Sequence, residues 1–501
     1  MERFMKICLL LAFLCPSALE CKKHDADTKP TKQQIQYSGL SCRKKIAFLN
    51  DYGAKGDGKT SNTDAFKAAV ADLSKYGSKG GGGAMLVVPP GKWLTGSFNL
   101  TSYFTLYIHH DAVLLASQDE KDYPLIDPLP SYGRGRDAAG QRFASLIFGT
   151  NLTDVVITGG NGTIDGQGQT WWTKFRHKKL KNTRPYLVEI MYSTKVVITN
   201  LTLIDAPTWN VHPVYSSNII IESLTISAPY TSPNTDGINP DSCSNIRIRD
   251  SYIMSGDDCI AVKSGWDEYG IKFGMPTQHL SIKRLTCISP YSAVIALGSE
   301  MSGGIRDVRA EQIYAFSSES GVRIKTAPGR GAYVKDIYVR GMEMHTMKYV
   351  VRMAGNYNQH PDSNYDPNAL PLINNINIRD VYADGVKTVG NLLGIASDTF
   401  TKLCFSNVTA ELAKKNNSSV YDWPEYGVDM DMDMDMDKDN KDKEKKKKKA
   451  KGWKCADIEG VSKDVTPEPC DLLPGTKNSC DFPTDTLAID TVQLKTCSAN
   501  Y

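Results

Sequence analysis

A short apolar motif recurs along the chain and constrains the fold more than any other feature. The strings DVVIT (154–158), KVVIT (195–199), NIIIESLTI (218–226) and NIRIRDSYI (245–253) each open with a polar residue that β-branched residues follow. At spacings of 23 to 41 residues between successive units, related strings begin near His279, Asp307, Asp336, Asn375 and Lys402. A unit of this length cannot bury its apolar face alone, so neighbouring units must stack.

This repeat predicts an all-β fold, a right-handed parallel β-helix. Each unit would form one coil, and the coils would stack about 4.8 Å apart. Strong helical periodicity is missing between the strands, which argues against a βαβ barrel. A β-sandwich is the alternative fold, but it usually shows hairpin signals such as NG or DG, whereas most linkers here are longer.

A stacked sheet needs an element that covers its end. Residues 61–77 carry an apolar face at helical spacing, which is made by Phe66, Ala69, Val70 and Leu73. We therefore expect a short N-terminal capping helix over the apolar core, with Asn62 or Thr63 at its start.

Composition divides the chain into five segments. The N-terminus has basic residues, an apolar run too short to span a bilayer and then small residues, which is the order of a signal peptide. Residues 429–451 alternate Asp with Met and end in a lysine run, so they cannot form a packed core. We expect a signal peptide (1–20), an N-terminal tail (21–45), the β-helix domain (46–427), a disordered low-complexity insertion (428–451) and a cysteine-containing C-terminal tail (452–501).

Two further features indicate secretion. The first is a set of glycosylation sequons at Asn99, Asn151, Asn161, Asn200, Asn407, Asn416 and Asn417. The second is a late cluster of cysteines without a CxxC pair, which favours disulfides over zinc: Cys455, Cys470, Cys480 and Cys497. The net charge of +3 over 501 residues gives no argument for a nucleic-acid partner. We expect an extracellular protein, free of the membrane after signal cleavage.

Three aspartates are crowded into two neighbouring segments. PNTDGINPDSC (233–243) holds Asp236, and SGDDCIAVKSG (255–265) holds Asp257 and Asp258. Asp236 and Asp257 are 21 residues apart, about one coil, so a β-helix would place them side by side on neighbouring coils. Adjacent residues of a regular strand point to opposite faces, but Gly256 predicts a turn or bulge at which both aspartates reach the outer face.

Other polar residues recur at similar offsets on the next coils. These are Ser292, Arg323 and Lys325, and the last two can both point outward because they are two residues apart. Three carboxylates beside two cations fit hydrolysis of an acidic glycoside, in which one carboxylic acid protonates the leaving oxygen and one carboxylate activates water or attacks carbon. The cations would bind the sugar-acid carboxylate. A calcium site or a solvated turn is the alternative interpretation of the two adjacent aspartates.

At these residues the chain resembles the polygalacturonase family, glycoside hydrolase family 28, and its plant branch in particular. The matching motifs are NTDG (234–237), GDD (256–258) and RIK (323–325), with similar flanking text over about 46–425 and 452–475. The resemblance implies an inverting hydrolase of α-1,4-linked galacturonan in pectin, which works as a monomer in the cell wall. It also implies that the β-helix is the catalytic domain and that neither a metal nor another cofactor takes part.

The resemblance assigns a role to each motif residue. Asp257 would be the general acid, and Asp236 with Asp258 would hold and deprotonate the attacking water. Arg323 and Lys325 would bind galacturonate. Asn234 and Ser292 complete the expected substrate-binding residues.

The chain departs from the family pattern at one position. The family commonly has a G-H-G motif between GDD and RIK, and the position of its His is Ser292 here. A hydroxyl can hydrogen-bond a sugar, but it cannot become a cation at working pH. We interpret Ser292 as a variant site residue.

Several prominent residues receive structural interpretations instead. Trp171, Trp172 and His212 are expected to pack within the fold. Cys259 can bridge to Cys287 or to Cys243, and Cys287 is preferred.

Two loops are candidate walls of a substrate groove, residues 128–143 and 355–371. Arg134 and Arg136 in the first loop could contact an acidic sugar, although such arginines are more often ordinary surface charge. Endo and exo action both stay open. Two other functions also remain: hydrolysis of rhamnogalacturonan or xylogalacturonan, and pectin binding with weak or no catalysis.

Overall fold

The structure is a computed structural model that describes residues 37, 42–77, 82–413 and 452–496. The predicted signal peptide, most of the N-terminal tail and the insertion 428–451 lie outside the described residues. The same holds for Asn416, Asn417 and Cys497.

Strands dominate the described chain. The first half contains β1 Lys45–Phe48, β2 Ala84–Val88, β3 Gly91–Thr95, β4 Phe98–Asn99, β5 Phe104–Ile108, β6 Ala112–Ala116, β7 Leu125–Ile126, β8 Arg142–Phe143, β9 Ile147–Thr150, β10 Thr153–Gly159, β11 Gly162–Asp165, β12 Val188–Met191, β13 Thr194–Ile204, β14 Val211–Val214, β15 Ser217–Ser227 and β16 Ser244–Met254. The second half contains β17 Ile260–Val262, β18 Thr277–Ile288, β19 Ala293–Leu297, β20 Ile305–Lys325, β21 Tyr333–Ala354, β22 Leu372–Val386, β23 Thr388–Leu393, β24 Phe400–Leu412, β25 Trp453–Ala456 and β26 Ile458–Thr466.

Few residues are helical. The helices are α1 Thr63–Leu73, α2 Gln169–Arg176 and α3 Asp267–Phe273, with short 3₁₀ turns at Leu49–Tyr52, Ser74–Tyr76, Glu120–Asp122 and Ala488–Thr491. Within the described ranges, every helix is too short or too polar to cross a bilayer.

Apart from the antiparallel pair β7–β8, the strands pair in parallel and form three stacks, as a parallel β-helix requires. The first stack runs from β1 through β2, β5 and β10 into the first halves of β13, β15, β16 and the long strands that follow. The second stack begins with β3, β6 and β11 and continues through the second halves of those strands. The third stack holds β4, β9, β12, β14, β17, β19, the ends of β20 and β21, β23 and β25. The predicted right-handed parallel β-helix is confirmed.

The polar residue that opens each repeat has a backbone role. All of these residues adopt a left-handed conformation with φ between 50° and 59°: Asp154, Lys195, Asn218, Asn245, His279, Asp307, Asp336, Asn375 and Lys402. Asn and Asp tolerate this conformation better than β-branched residues do. The repeated polar residue therefore marks a bend at the start of each of these nine coils.

The β-branched residues of successive coils stack inside the solenoid. One row of directly paired, fully buried side chains comprises Ile219, Ile246, Leu280, Val308, Ile337, Ile376 and Leu403. Burial of such a row stabilises the fold by about 25 cal/mol for each Å² of apolar surface that is removed from water.

The N-terminal end of the core is covered as predicted. Helix α1 buries Phe66, Ala69, Val70 and Leu73, and the Phe66 ring stacks on Phe98 with centroids 4.3 Å apart. Asn62 precedes the helix, but its side chain makes no capping bond to it. Its Oδ1 instead accepts from the Lys55 amide at 2.7 Å, so Asn62 ties the helix start to the preceding loop.

The β-helix continues beyond the predicted boundary at residue 427. β25 pairs with β23, and β26 pairs with β24, so the segment we expected to be a tail adds a further coil. Two disulfides fasten this region, Cys404–Cys480 and Cys455–Cys470. The intervening low-complexity run hides this continuation from a search for repeats.

Residues 487–494 then cross the outer face of the first stack. Ile489 and Val492 are buried there against an outward-facing apolar patch made by Val156, Val197 and Ile220. The buried Arg247 guanidinium donates to the Ile489 and Val492 carbonyls at 3.0 and 2.8 Å.

Replacing Phe66 by Ala should destabilise the cap. Loss of a buried phenylalanine typically lowers the free energy of unfolding by about 3–5 kcal/mol. Denaturant unfolding measures the effect, and the exposed Lys67→Ala on the same helix is the control. Equal stabilities of the two variants would contradict the role of α1 as a cap.

Candidate active site

The candidate site lies on the outer face of the third stack. Asp236 lies two residues before the bridge residue Ile238, and Asp257 and Asp258 lie just before Cys259 and β17. Ser292 directly precedes β19, and Lys325 ends β20. Because these strands are neighbours in one stack, their side chains converge.

The three aspartates form one buried cluster, as the repeat offsets predict. One carboxylate oxygen from each of Asp236, Asp257 and Asp258 lies within 4.8 Å of the other two. Asp257 is the most exposed of the three, at 7%. Three carboxylates at this distance repel each other unless protons or cations compensate their charge.

A bend at Gly256 allows both adjacent aspartates to reach the cluster. A Cβ at this position would lie 2.0 Å from the Ser232 carbonyl oxygen, so only glycine fits there. The bend is held by the Thr235 hydroxyl, which accepts from the Gly256 amide at 3.1 Å. The disulfide that we preferred from the sequence, Cys259–Cys287, is present and anchors the residue that follows Asp258. Cys243 is a buried free thiol.

Asp258 is held in its ionised form. Its Oδ1 accepts from the Ser292 hydroxyl at 2.5 Å and from the Ala293 amide at 3.0 Å, and its Oδ2 accepts from Lys325 Nζ at 2.9 Å. Burial acts to raise the pKa of Asp258, but Lys325, Ser292 and Arg323 outweigh it and lower the pKa. Asp258 in turn raises the pKa of Lys325 well above its usual value, although burial of the ammonium opposes this.

The pKa of Asp236 is shifted in the opposite direction. Burial and the neighbouring Asp257 carboxylate raise the pKa of Asp236 well above its usual range, although Lys263 acts against them. Lys263 Nζ lies 3.8 Å from Asp236 Oδ2, and Asn239 Nδ2 donates to the same oxygen at 2.7 Å. Asp236 is therefore the carboxyl of the cluster that keeps its proton to higher pH.

The expected substrate-binding residues lie in different environments. Asn234 Nδ2 is 3.4 Å from Asp257 Oδ2, and Arg184 Nη2 donates to Asn234 Oδ1 at 2.8 Å. Lys325 lines the cleft around the carboxylates. Arg323 is almost completely buried, and its charge lowers the pKa of Glu319 against the effect of burial. Arg323 and Lys325 flank the core residue Ile324, which matches the predicted alternation.

A second set of charged residues lies in the cleft, and of these only Arg136 was named from the sequence. Lys263 Nζ donates to Glu300 Oε2 at 3.0 Å and lies 4.5 Å from the centroid of the Trp209 ring. Arg136 Nε contacts Glu300 Oε1 at 2.7 Å. Burial acts to raise the pKa of Glu300, but Lys263 and Arg136 outweigh it and lower the pKa. The sequence signal for Lys263 was its position directly after the apolar strand residues in IAVK, where a charged side chain is unusual.

The residues that we expected to pack within the fold are buried or bonded to other parts of the protein. His212 is fully buried, with Nδ1 2.9 Å from Glu189 Oε1 and Nε2 3.4 Å from Asp241 Oδ2. Trp171 and Trp172 are buried on helix α2. Arg134 contacts the Pro361 carbonyl at 2.8 Å, which joins the two loops that we regarded as candidate walls.

The carboxylates cluster on the outer face of a solenoid, and one retains a proton while another is ionised. Glycoside hydrolases use such a pair of groups for catalysis. Comparison with known proteins identifies the family within this class. The model of the family "Glycosyl hydrolases family 28" matches residues 134–422. A "Probable polygalacturonase" of Vitis vinifera is 60% identical over 470 residues, which cover 93% of this chain and 89% of that protein. The chain therefore belongs to glycosyl hydrolases family 28.

Solved structures agree with the fold. A hyperthermoactive exopolygalacturonase from Thermotoga maritima superposes with a TM-score of 0.66 at 26% identity, covering 76% of this chain and 90% of that one. A polygalacturonase from Erwinia carotovora superposes with a TM-score of 0.56 at 20% identity, covering 90% of this chain and 99% of that one.

Replacing Ser292 by Ala should move the acidic limb of the pH–rate profile to higher pH. The hydroxyl bonds the ionised form of Asp258, so its loss raises the pKa of that carboxyl, and the ionised form is then reached only at higher pH. Hydrogen bonds to charged groups contribute about 1.5–3 kcal/mol, so activity at the wild-type optimum should fall roughly tenfold or more.

The buried Ser281→Ala on β18 is the control for this substitution. The profile is measured by reducing-sugar release across pH. An acidic limb that stays in place or moves to lower pH would contradict the role given to Ser292.

Proposed function

We propose that the protein is a secreted polygalacturonase that hydrolyses α-1,4-galacturonosyl linkages of pectin. One observation carries the proposal: a buried cluster of three carboxylates lies between two ammonium groups in a chain of family 28. The name of the Vitis vinifera relative points to the same substrate.

In the proposed reaction Asp257 protonates the leaving oxygen. It is the most exposed of the three carboxyls and lies close enough to Asp236, whose pKa is raised, to receive its proton. The ionised Asp258, with Asp236 once the proton has moved to Asp257, holds and deprotonates the attacking water. Activity therefore requires an ionised Asp258 and the proton that Asp236 retains, which gives a bell-shaped profile with an acidic optimum.

The cations of the cleft suit a uronic acid substrate. Lys325 and Arg136 line the cleft together with the carboxylates, and an ammonium and a guanidinium both attract sugar carboxylates. Lys325 and Lys263 also supply positive charge that a bound metal would otherwise provide. We therefore propose a metal-independent reaction.

We further propose that the configuration at the anomeric carbon is inverted, as the family resemblance implies. The carboxylate oxygens approach within 4.8 Å, which is closer than the separation of about 6.5–9.5 Å usual for the carboxyl groups of inverting glycosidases. The site must therefore widen, or the water must enter from the side of Asp258.

We also propose exo action. Arg136 and Tyr357, from the two joined loops, line the cleft, and Arg136 Nη2 lies 3.4 Å from Gln359 Oε1. The Trp266 indole donates to the Gln359 carbonyl at 3.2 Å and strengthens the junction. A wall beside the carboxylates favours binding of a chain end. The Thermotoga maritima relative is named an exopolygalacturonase, which supports this choice.

Extracellular location follows from the sequence features and is compatible with the disulfides. We propose that the mature protein works in the cell wall as a monomer, free of the membrane. Helix α1 covers the N-terminal end of the core, and at the other end Gly475 of the same chain pairs with Ser462 of β26.

Replacing Asp257 by Asn should lower hydrolysis of polygalacturonate by about 10²–10⁴-fold, because general acid catalysis contributes about that factor. The variant should retain most of its activity on α-galacturonosyl fluoride, whose leaving group needs no proton. Asp236→Asn should lose activity on both substrates, and the exposed Asp111→Asn is the control. EDTA should leave the wild-type rate unchanged. If Asp257→Asn lost both activities and Asp236→Asn kept its activity on the fluoride, the roles of acid and base would be reversed between the two residues.

Inversion predicts that the β-anomer of galacturonic acid forms first from the α-linked polymer. Proton NMR of the anomeric signals during the first minutes detects it before mutarotation. Initial formation of the α-anomer would indicate a covalent intermediate on a carboxylate and would contradict the proposed role of water.

Exo action predicts that monogalacturonic acid appears from the start while the viscosity of polygalacturonate falls slowly. Chromatography of the products, together with viscometry, measures both. Replacing Arg134 by Ala removes one link between the loops and should increase the share of longer oligomers, whereas Arg306→Ala, on the first stack, should not. An early mixture of oligomers from the wild type would establish endo action instead.

A further inference from the structure

A second concave surface lies away from the carboxylates, across the middle of the second stack. It has a volume of about 760 Å³. Paired residues of successive coils form its floor, running from Thr409 through Tyr382 and Glu343 to Tyr314. We call this surface the aromatic groove.

The aromatic groove exposes rings that an apolar core would normally bury. Tyr314 and Tyr382 are 46% and 40% exposed, and Phe316 beside them is 37% exposed. Phe316 stacks on His345 with centroids 5.3 Å apart, and His345 lies 6.5 Å from Tyr382, so the rings form a continuous patch. A contiguous exposed aromatic patch marks an interaction site.

The charge of the aromatic groove distinguishes it from the active site. Glu343 and Asp380 line it, and its cation Arg284 is already bound by both oxygens of Asp250, at 2.5 and 2.8 Å. Carboxylates repel a polyuronate chain. Aromatic faces with hydrogen-bonding side chains between them suit the apolar faces and hydroxyls of neutral sugars.

A glycosylation sequon forms one wall of the same groove. Asn407 and Thr409 of the string NVT both line it and are both exposed. Asn407 has a left-handed backbone with φ of 51° at a bend of β24, and its Nδ2 donates to Asp380 Oδ1 at 2.8 Å. A glycosylated asparagine retains one N–H on Nδ2, so it can keep this bond. Thr409 is the direct strand partner of Tyr382.

We propose that Asn407 carries an N-linked glycan whose first sugars pack over Tyr382 and Tyr314 in the aromatic groove. The proposal rests on secretion, which is part of the proposed function, and it does not depend on the catalytic assignment. The donor is an oligosaccharide on a lipid pyrophosphate in the secretory pathway. A bond forms between Asn407 Nδ2 and the anomeric carbon of the first sugar, the bond from that carbon to the pyrophosphate oxygen breaks, Nδ2 loses one proton, and the lipid pyrophosphate leaves.

Covalent attachment explains why such a surface can be filled without a separate ligand. A tethered glycan reaches the neighbouring rings at a high effective concentration, so weak stacking contacts suffice to hold it. Packing there would cover the exposed rings of a secreted protein and remove an apolar patch from solvent.

The test uses the full chain secreted from a plant or insect host. Peptide mass spectrometry measures occupancy of each sequon, and nitration by tetranitromethane measures the reactivity of Tyr314 and Tyr382. Thr409→Ala abolishes the sequon while keeping Asn407 in its left-handed conformation, and Asn407→Gln is the second variant. Asn151→Gln removes an exposed sequon outside the groove and is the matched control.

We expect a glycan at Asn407 in the wild type. Tyr314 and Tyr382 should be nitrated several-fold faster in both groove variants than in the wild type or in Asn151→Gln. Absence of glycan from Asn407, whether or not Asn151 is modified, would overturn the proposal. Equal nitration with Asn407 occupied would also overturn it. Release of sugar from polygalacturonate by the same preparations tests the catalytic function separately.

Discussion

Compensation of buried charge is the constraint on which the active site depends. Asp258 can remain ionised inside the cleft only because Lys325 and Ser292 bind it, and Asp236 avoids repulsion by its neighbours by keeping its proton. Removing one partner of a buried ion pair costs about 3–5 kcal/mol, because the other charge is left unpaired. The same balance provides one acidic and one basic group side by side, which glycoside hydrolysis needs.

The coil geometry makes this crowding possible. Each coil begins with a residue in the left-handed conformation, and the apolar residues after it lock the coil into register with its neighbours. Residues from distant points of the chain thereby reach one face at fixed spacing. The disulfide Cys259–Cys287 and the bend at Gly256 then fix the local conformation of the two adjacent aspartates.

Much of this arrangement could be predicted from the sequence, because repeats and offsets between polar residues are local signals. The stacked rows, the capping helix and the proximity of Asp236 to Asp257 and Asp258 follow from them. The link from Arg136 through Glu300 to Lys263 could not be predicted, since it depends on how a long loop folds back over the solenoid. The last coil was missed because the low-complexity insertion interrupts the repeat before β25.

The proton retained on Asp236 is the central claim, and infrared difference spectroscopy measures it directly. At about pH 6, above the usual carboxyl range, the wild type should show the carbonyl stretch of one protonated carboxyl. Asp236→Asn should lack that band, because it removes the protonated group. Asp257→Asn should lose the band at a lower pH than the wild type does, because it removes the repulsion that adds to burial in raising the pKa of Asp236. Absence of the band from the wild type, or its persistence in Asp236→Asn, would contradict the account.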